Sequence, residues 1–121
     1  MLRNMMGSKI HRAKVTDVNL NYEGSISICP KLMDEAGIAP YEQVHVLNVN
    51  NGSRIVTYAI PADDGGEICI NGAAAHFFNI DDIVIIISYR MVDDREGVFF
   101  GYKPVVVRVD NNEYNVNRAR K

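Results

Sequence analysis

Asn50-Asn51-Gly52 lies between two runs rich in β-forming residues, Gln43-Val44-His45-Val46-Leu47-Asn48-Val49 and Ser53-Arg54-Ile55-Val56-Thr57-Tyr58-Ala59-Ile60. An Asn-Gly step accepts the positive backbone angles of a tight hairpin, and strand formers on both sides make it the strongest short-range hairpin signal. A chain with this pair at its centre is committed to antiparallel sheet. Other segments point the same way. Residues 9–18 mix polarity with β-formers, and Ile26-Ser27-Ile28 is a short strand. The polar turn Asp63-Asp64-Gly65-Gly66 precedes a strand at residues 67–70, and residues 99–109 supply a last strand that Pro104 confines to an edge or a bend. Ile83-Val84-Ile85-Ile86-Ile87-Ser88-Tyr89 is apolar on both strand faces and is expected to be buried on both.

Helical signals are brief. Pro30 suits the first turn of a helix that runs through Leu32 and Met33 to about Ala36, where Gly37 provides the stop. Asn71-Gly72-Ala73-Ala74-Ala75-His76 reads either as the start of a short helix, with free amides aimed past the preceding strand, or as a close-packed turn of small residues. The expected architecture is mainly β: a small six- to seven-stranded barrel with short helices.

At 121 residues the chain fits one domain, residues 1–121. A composition of 47% hydrophobic and 23% charged residues argues against wholesale disorder. Thirteen Lys plus Arg against fifteen Asp plus Glu leave a net charge of -2, and the basic residues are dispersed; neither nucleic acid nor an anionic membrane is expected as partner. Cys29 and Cys69 form no CxxC pair and lack metal-ligand spacing from the histidines, so free buried thiols and no metal site are expected. The longest apolar run, residues 83–87, is too short to cross a bilayer, and Arg3 and Lys9 interrupt the apolar start, which makes a reducing cytoplasm the expected location. Residues 110–121 read as a polar, Asn-rich tail, loose or ordered only on contact.

Candidate chemistry is scattered. Gly24-Ser25 is by ordinary expectation a turn, but a strained Gly-Ser peptide has a second outcome, in which the serine hydroxyl attacks the glycine carbonyl and turns amide into ester. Lys9 and His11 share a strand face, either as part of a site or as a solvated surface. Arg54 is suited to binding a carboxylate, Thr57 to an oxyanion and Tyr58 to donating a proton, though strict alternation sets Arg54 and Tyr58 on one face and Thr57 on the other. A site shared by all three needs a twist, a bulge or two subunits. His45 and His76 lack metal spacing and read as structural. No GxSxG, P-loop or GxGxxG motif is present, which removes the simplest hydrolase, kinase and dehydrogenase readings.

The order of four blocks is more informative than any one of them. Lys-Ile-His-Arg-Ala-Lys-Val-Thr at residues 9–16, Tyr-Glu-Gly-Ser at 22–25, Asn-Gly-Ser-Arg-Ile-Val-Thr-Tyr at 51–58 and Asn-Gly-Ala-Ala-Ala-His at 71–76 closely resemble the bacterial pyruvoyl-dependent aspartate 1-decarboxylase family. The resemblance covers residues 1–90, including Asp-Asp-Ile-Val-Ile-Ile-Ile-Ser, and beyond Met91 it is one of general character only. It implies a double-psi β-barrel, a homotetramer with active sites between subunits, and in some relatives a helper protein for maturation.

It further implies self-cleavage between Gly24 and Ser25, giving a β chain of residues 1–24 and an α chain of residues 25–121 whose first residue, formerly Ser25, is a covalent pyruvoyl cofactor. Thr57 would assist that step. The pyruvoyl ketone would then take L-aspartate as a Schiff base and accept electrons as carbon dioxide leaves, yielding β-alanine for pantothenate synthesis. By the same resemblance Arg54 and Lys9 bind substrate carboxylate, Tyr58 returns the proton, Gly72, Ala73 and Ala74 bring backbone close to the substrate, and Asn71, His11 and Tyr22 line the pocket. The competing expectation is a non-catalytic barrel that binds a small acid or a protein partner, with Gly24-Ser25 as a plain turn.

Overall fold

The computed structural model describes residues 1–63, 67–95 and 101–110, and residues 113–117 as backbone. The chain runs β1 (Leu2–Lys14), β2 (Asp17–Asn19), β3 (Ser25–Ile28), α1 (Pro30–Ala36), β4 (Gln43–Asn48), β5 (Arg54–Pro61), β6 (Ile68–Asn71), a 3-10 helix (Gly72–Phe77), β7 (Ile83–Asp93), β8 (Val105–Asp110) and β9 (Glu113–Asn117). The strands join in the order β2-β6-β3-β5-β4-β7-β1-β8-β9. Three neighbouring pairs are parallel, β1 with β8, β2 with β6 and β3 with β5, and the others are antiparallel.

This sheet is rolled. β1 lies near one end of the strand order and β2 at the other, yet only Val15 and Thr16 connect them. Thr16 bonds β6 on the way, its amide donating to Ile68 O at 2.8 Å while its hydroxyl accepts from the Ile68 amide at 3.0 Å. α1 follows β3 directly and packs on β1 and β8 from the far side of the order. One contiguous core, with Ile10, Val15, Ile26, Leu32, Val46, Ile86 and Val107 among its residues, fills the interior. The fold is the small mainly-β barrel expected, with nine strands among the described residues where six to seven were expected.

Local signals explain the elements that were legible. Gly52 takes φ +78 in the β4–β5 hairpin, and its amide donates to Asn48 O at 2.8 Å. α1 carries proline at its start, and Gly37 at φ 72 returns hydrogen bonds to the last turn. Its buried face is Leu32, Met33 and Ala36, spaced for one side of a short helix.

Several expectations need correction. β1 begins at Leu2, not residue 9, and bulges at Arg12, whose φ of 67 lets Ala13 return to the interior. The last expected strand starts only at Val105, because Pro104 has no N–H to give the ladder; residues 96–100 lie outside the described residues, as do residues 64–66 of the expected Asp63–Gly66 turn. The tail contributes a strand, β9, antiparallel to β8. β7 is not buried on both faces. Val84, Ile86 and Ser88 are buried, while Ile83, Ile85 and Ile87 on the outward face are half-buried. Among the described residues no helix is long and apolar enough to cross a membrane.

Candidate active site

Ser25 opens β3 and pairs across the antiparallel ladder with Asn71 at the end of β6. Ile26 and Ile28, matched with Ile70 and Ile68, point into the core, so alternation turns Ser25, Ser27, Cys69 and Asn71 to the other face. There the four side chains form one network. Asn71 Nδ2 donates to Ser25 Oγ and to Ser27 Oγ, each at 2.9 Å, and the Cys69 thiol donates to Asn71 Oδ1 at 3.2 Å. Ser25, Cys69 and Asn71 are buried, and a buried polar group without a partner is costly, so the network fixes the Ser25 hydroxyl in place.

The other side of the Gly24–Ser25 peptide is set by Gly72. Its φ is +75, and a Cβ built there would stand 2.8 Å from Gly24 Cα, 2.9 Å from Gly24 N and 3.1 Å from Tyr22 O. Both the backbone angle and the space admit only glycine. Gly24 differs, since a Cβ built on it meets nothing within 4 Å. Of the expected roles for the 71–76 stretch, the short helix is the one formed: Gly72 opens the 3-10 turn, Ala73 is exposed and Ala74 is half-buried beside it.

Tyr58 is next in line. Ala59 pairs with Ile26 in the parallel β3–β5 ladder, and continuing that register by one residue sets Tyr58 beside Ser25. Its ring stacks on Tyr41 with centroids 6.2 Å apart. Thr57 matches Val44, which is wholly buried, and so faces the opposite side from Tyr58, as strict alternation requires. The Tyr22 side chain is exposed and borders a cavity of about 230 Å³ whose wall includes Ser27, Cys69 and Asn71 together with Asp17, Asp63 and Glu67. Burial first, then the Asp17 and Glu67 carboxylates, push the Cys69 thiol up to about 11, which keeps it protonated at neutral pH.

The cationic residues gather elsewhere. Arg54 is four positions before Tyr58, about 13 Å along a strand. Its guanidinium donates to His45 Nδ1, from Nη2 at 3.1 Å and Nε at 3.3 Å, and to Tyr89 Oη at 3.2 Å. Cross-strand pairing runs from Arg54 through Leu47 and Ile85 to His11 and Arg108, a single outward row, with Lys9, Ile87 and His45 in the next. His11 Nδ1 is buried without a hydrogen bond. Burial, followed by Lys9, Arg12 and Arg108, lowers the His11 pKa, so the ring is held neutral.

Within one chain, therefore, Gly24, Ser25, Asn71, Gly72, Tyr58 and the Tyr22 backbone meet at one end of the outer face. Lys9, His11 and Arg54 form a separate basic surface. Sequence reasoning missed Ser27 and Cys69, whose relation to Ser25 depends on the β3–β6 register. It also missed that His45, read as structural, holds Arg54. Among the described residues no group of His, Cys, Asp and Glu is arranged to hold a metal ion.

A covalent keto group derived from residue 25 fits this setting. Ser25 Oγ is buried with an amide donor on it, and glycine at 72 leaves the adjoining backbone room that any Cβ would fill. A family model described as aspartate decarboxylase matches residues 1–116. A protein of Thermoanaerobacter pseudethanolicus named aspartate 1-decarboxylase is 58% identical over 97% of this chain and 99% of its own length. Proteins of the same name from Bacillus subtilis, 49% identical over 92% of this chain and 88% of their own, and from Campylobacter jejuni, 50% over 89% and 84%, are also similar.

Proposed function

The chain belongs to the aspartate decarboxylase family, and we propose that it converts L-aspartate to β-alanine and carbon dioxide, for pantothenate synthesis, with a pyruvoyl group made from its own Ser25. The observation that carries this reading is the fixed Ser25 hydroxyl, 2.9 Å from the Asn71 amide, at a peptide wedged against Gly72.

Self-cleavage starts when Ser25 Oγ attacks the Gly24 carbonyl carbon. The C–N bond breaks, the hydroxyl proton passes to the nitrogen, and an ester joins Gly24 to the Ser25 side chain. Loss of the Ser25 Cα proton then drives cleavage of the Cβ–Oγ bond, which releases residues 1–24 with a terminal carboxylate. The dehydroalanine left behind exchanges its nitrogen for a water oxygen and gives off ammonia. Thr57 is assigned the oxyanion of the first step on the family likeness, because its strand face gives no independent support. The pyruvoyl group supplies an electron sink for the pair freed when the α-carboxylate departs.

The chain's own residues do the rest. Arg54 binds the distal carboxylate, Lys9 raises the local anion concentration, and Tyr58, adjacent to Ser25 by register, returns a proton to the α-carbon. Ala73 and Ala74, small and at the start of the 3-10 turn, leave backbone accessible to the substrate. Asn71 and the Tyr22 backbone close one wall, and neutral His11 offers a hydrogen-bonding ring in the basic surface.

A homotetramer with active sites between subunits reconciles the two halves. Aspartate is too short to bridge the roughly 13 Å between Tyr58 and Arg54 along one strand, whereas the basic surface of one subunit against the Ser25 end of another brings them together. The half-buried apolar face of β7 and the exposed Val49 and Val56 suit a protein contact.

Incubation of the purified protein with L-aspartate tests the reading. Equimolar carbon dioxide and β-alanine support it. Aspartate binding without gas release would favour the non-catalytic barrel.

A further inference from the structure

We propose that Cys69 is a positioning residue for self-cleavage: its thiol, with the Ser27 hydroxyl, holds the Asn71 side chain in the orientation that aims an amide hydrogen at Ser25 Oγ. This deepens the proposed function and rests on it, since Ser25 must be the reacting residue.

A side-chain amide rotated by half a turn keeps its shape and exchanges a donor for an acceptor. What surrounds Asn71 decides between the two arrangements. On one side the Cys69 thiol reaches Oδ1 at 3.2 Å, and its other acceptor, Ile70 O, is farther away at 4.0 Å. On the opposite side both amide hydrogens are taken, one by Ser25 Oγ and one by Ser27 Oγ. The thiol serves as a donor only while protonated. Cys69 is part of the wall of the acidic cavity, where its burial first, and then the Asp17 and Glu67 carboxylates, oppose its ionisation. The cavity thus has a chemical consequence for residue 69, and through Asn71 for residue 25.

The orientation matters to both bond-breaking steps. With Asn71 Nδ2 donating, Ser25 Oγ keeps its own hydrogen free to move to the amide nitrogen. When the Cβ–Oγ bond later breaks, the electron pair collects on that oxygen as the Gly24 carboxylate forms, and the Asn71 N–H is already aimed at it. In the reversed arrangement the Ser25 hydroxyl would donate its hydrogen bond to Asn71 Oδ1, and the departing oxygen would face another acceptor.

The test uses the full chain made by cell-free synthesis in the cold, so that uncut protein is the starting point, with Cys69→Ala, Cys69→Val, Cys69→Ser and Ser27→Ala alongside the parent. Intact mass spectrometry follows the appearance of the ketone-bearing 25–121 chain, and circular dichroism verifies folding. Cys69→Ala and Cys69→Val should be slower by about fivefold or more, the size expected for one lost hydrogen bond. Cys69→Ser, which restores a donor, should stay within about twofold of the parent, and Ser27→Ala should also slow. If Cys69→Ser is as slow as Cys69→Ala, the sulfur acts through packing and the inference fails. It fails equally if the alanine and valine variants keep the parent rate. Should Cys69→Ala not fold, the contrast between Cys69→Val and Cys69→Ser decides. A parent that never cuts overturns the proposed function as well, whereas a cutting parent with unaffected variants overturns only the role of Cys69.

Discussion

Gly72 lies against Gly24 so closely that a Cβ on Gly72 would stand 2.8 Å from the Gly24 Cα. The contact joins the start of the 3-10 helix to the residue whose carbonyl the Ser25 hydroxyl attacks in the proposed self-cleavage. It makes the identity of residue 72 a matter of both backbone angle and space, while residue 24 is free of either demand.

Alanine at these two positions should therefore have unequal effects. In a Ser25→Ala background, Gly72→Ala is expected to cost roughly 2–4 kcal/mol in urea denaturation, from a left-handed alanine plus overpacking. Gly24→Ala should cost less than about 1 kcal/mol. Equal costs would contradict the close approach.

Substrate handling should separate from maturation. Arg54→Ala is predicted to lower kcat/KM for L-aspartate by roughly 10- to 150-fold, the loss of hydrogen bonds to a charged group worth about 1.5–3 kcal/mol, with self-cleavage unchanged. Tyr58→Phe should also leave cutting intact, and it should lower kcat more than it raises KM, because proton return follows binding. An Arg54→Ala protein that fails to cut would place Arg54 in maturation and contradict the separation.

Alkaline stability should carry the signature of Cys69. Its folded pKa is raised from 9.0 to about 11, so the folded state holds the proton more tightly than the unfolded chain. The resulting stability is fully present below pH 9 and is lost as pH rises through about 11. The difference in urea midpoint between the parent and Cys69→Ser should shift in favour of Cys69→Ser across that interval. A difference that stays constant from pH 8 to pH 11 would mean the thiol is not held protonated.

Much of the barrel was legible because its signals are local. Asn51-Gly52 specified the hairpin, and Pro30 and Gly37 marked both ends of α1. Where pairing between distant segments decides, the residues alone did not suffice. Arg12 gives no sign of the left-handed bulge that β7 imposes on β1, and the polar Glu113–Asn117 becomes a strand only beside β8. Ile83, Ile85 and Ile87 look like core because an apolar residue on a half-buried outward face is written like one in the interior. At the candidate site the resemblance supplied Ser25, Asn71 and Gly72. The partners that hold them, Ser27 and Cys69, follow from a cross-strand register that only the folded sheet defines.

The proposed chemistry turns on Gly24-Ser25 being a reactive bond. Intact mass spectrometry of the purified protein under denaturing conditions, before and after prolonged heating, tests it most directly, with Ser25→Ala as control. Two chains are expected, residues 1–24 ending in a free carboxylate and residues 25–121 beginning with a ketone in place of an amine, and a single uncut chain for Ser25→Ala. One unmodified chain of residues 1–121 from the parent after heating would contradict it.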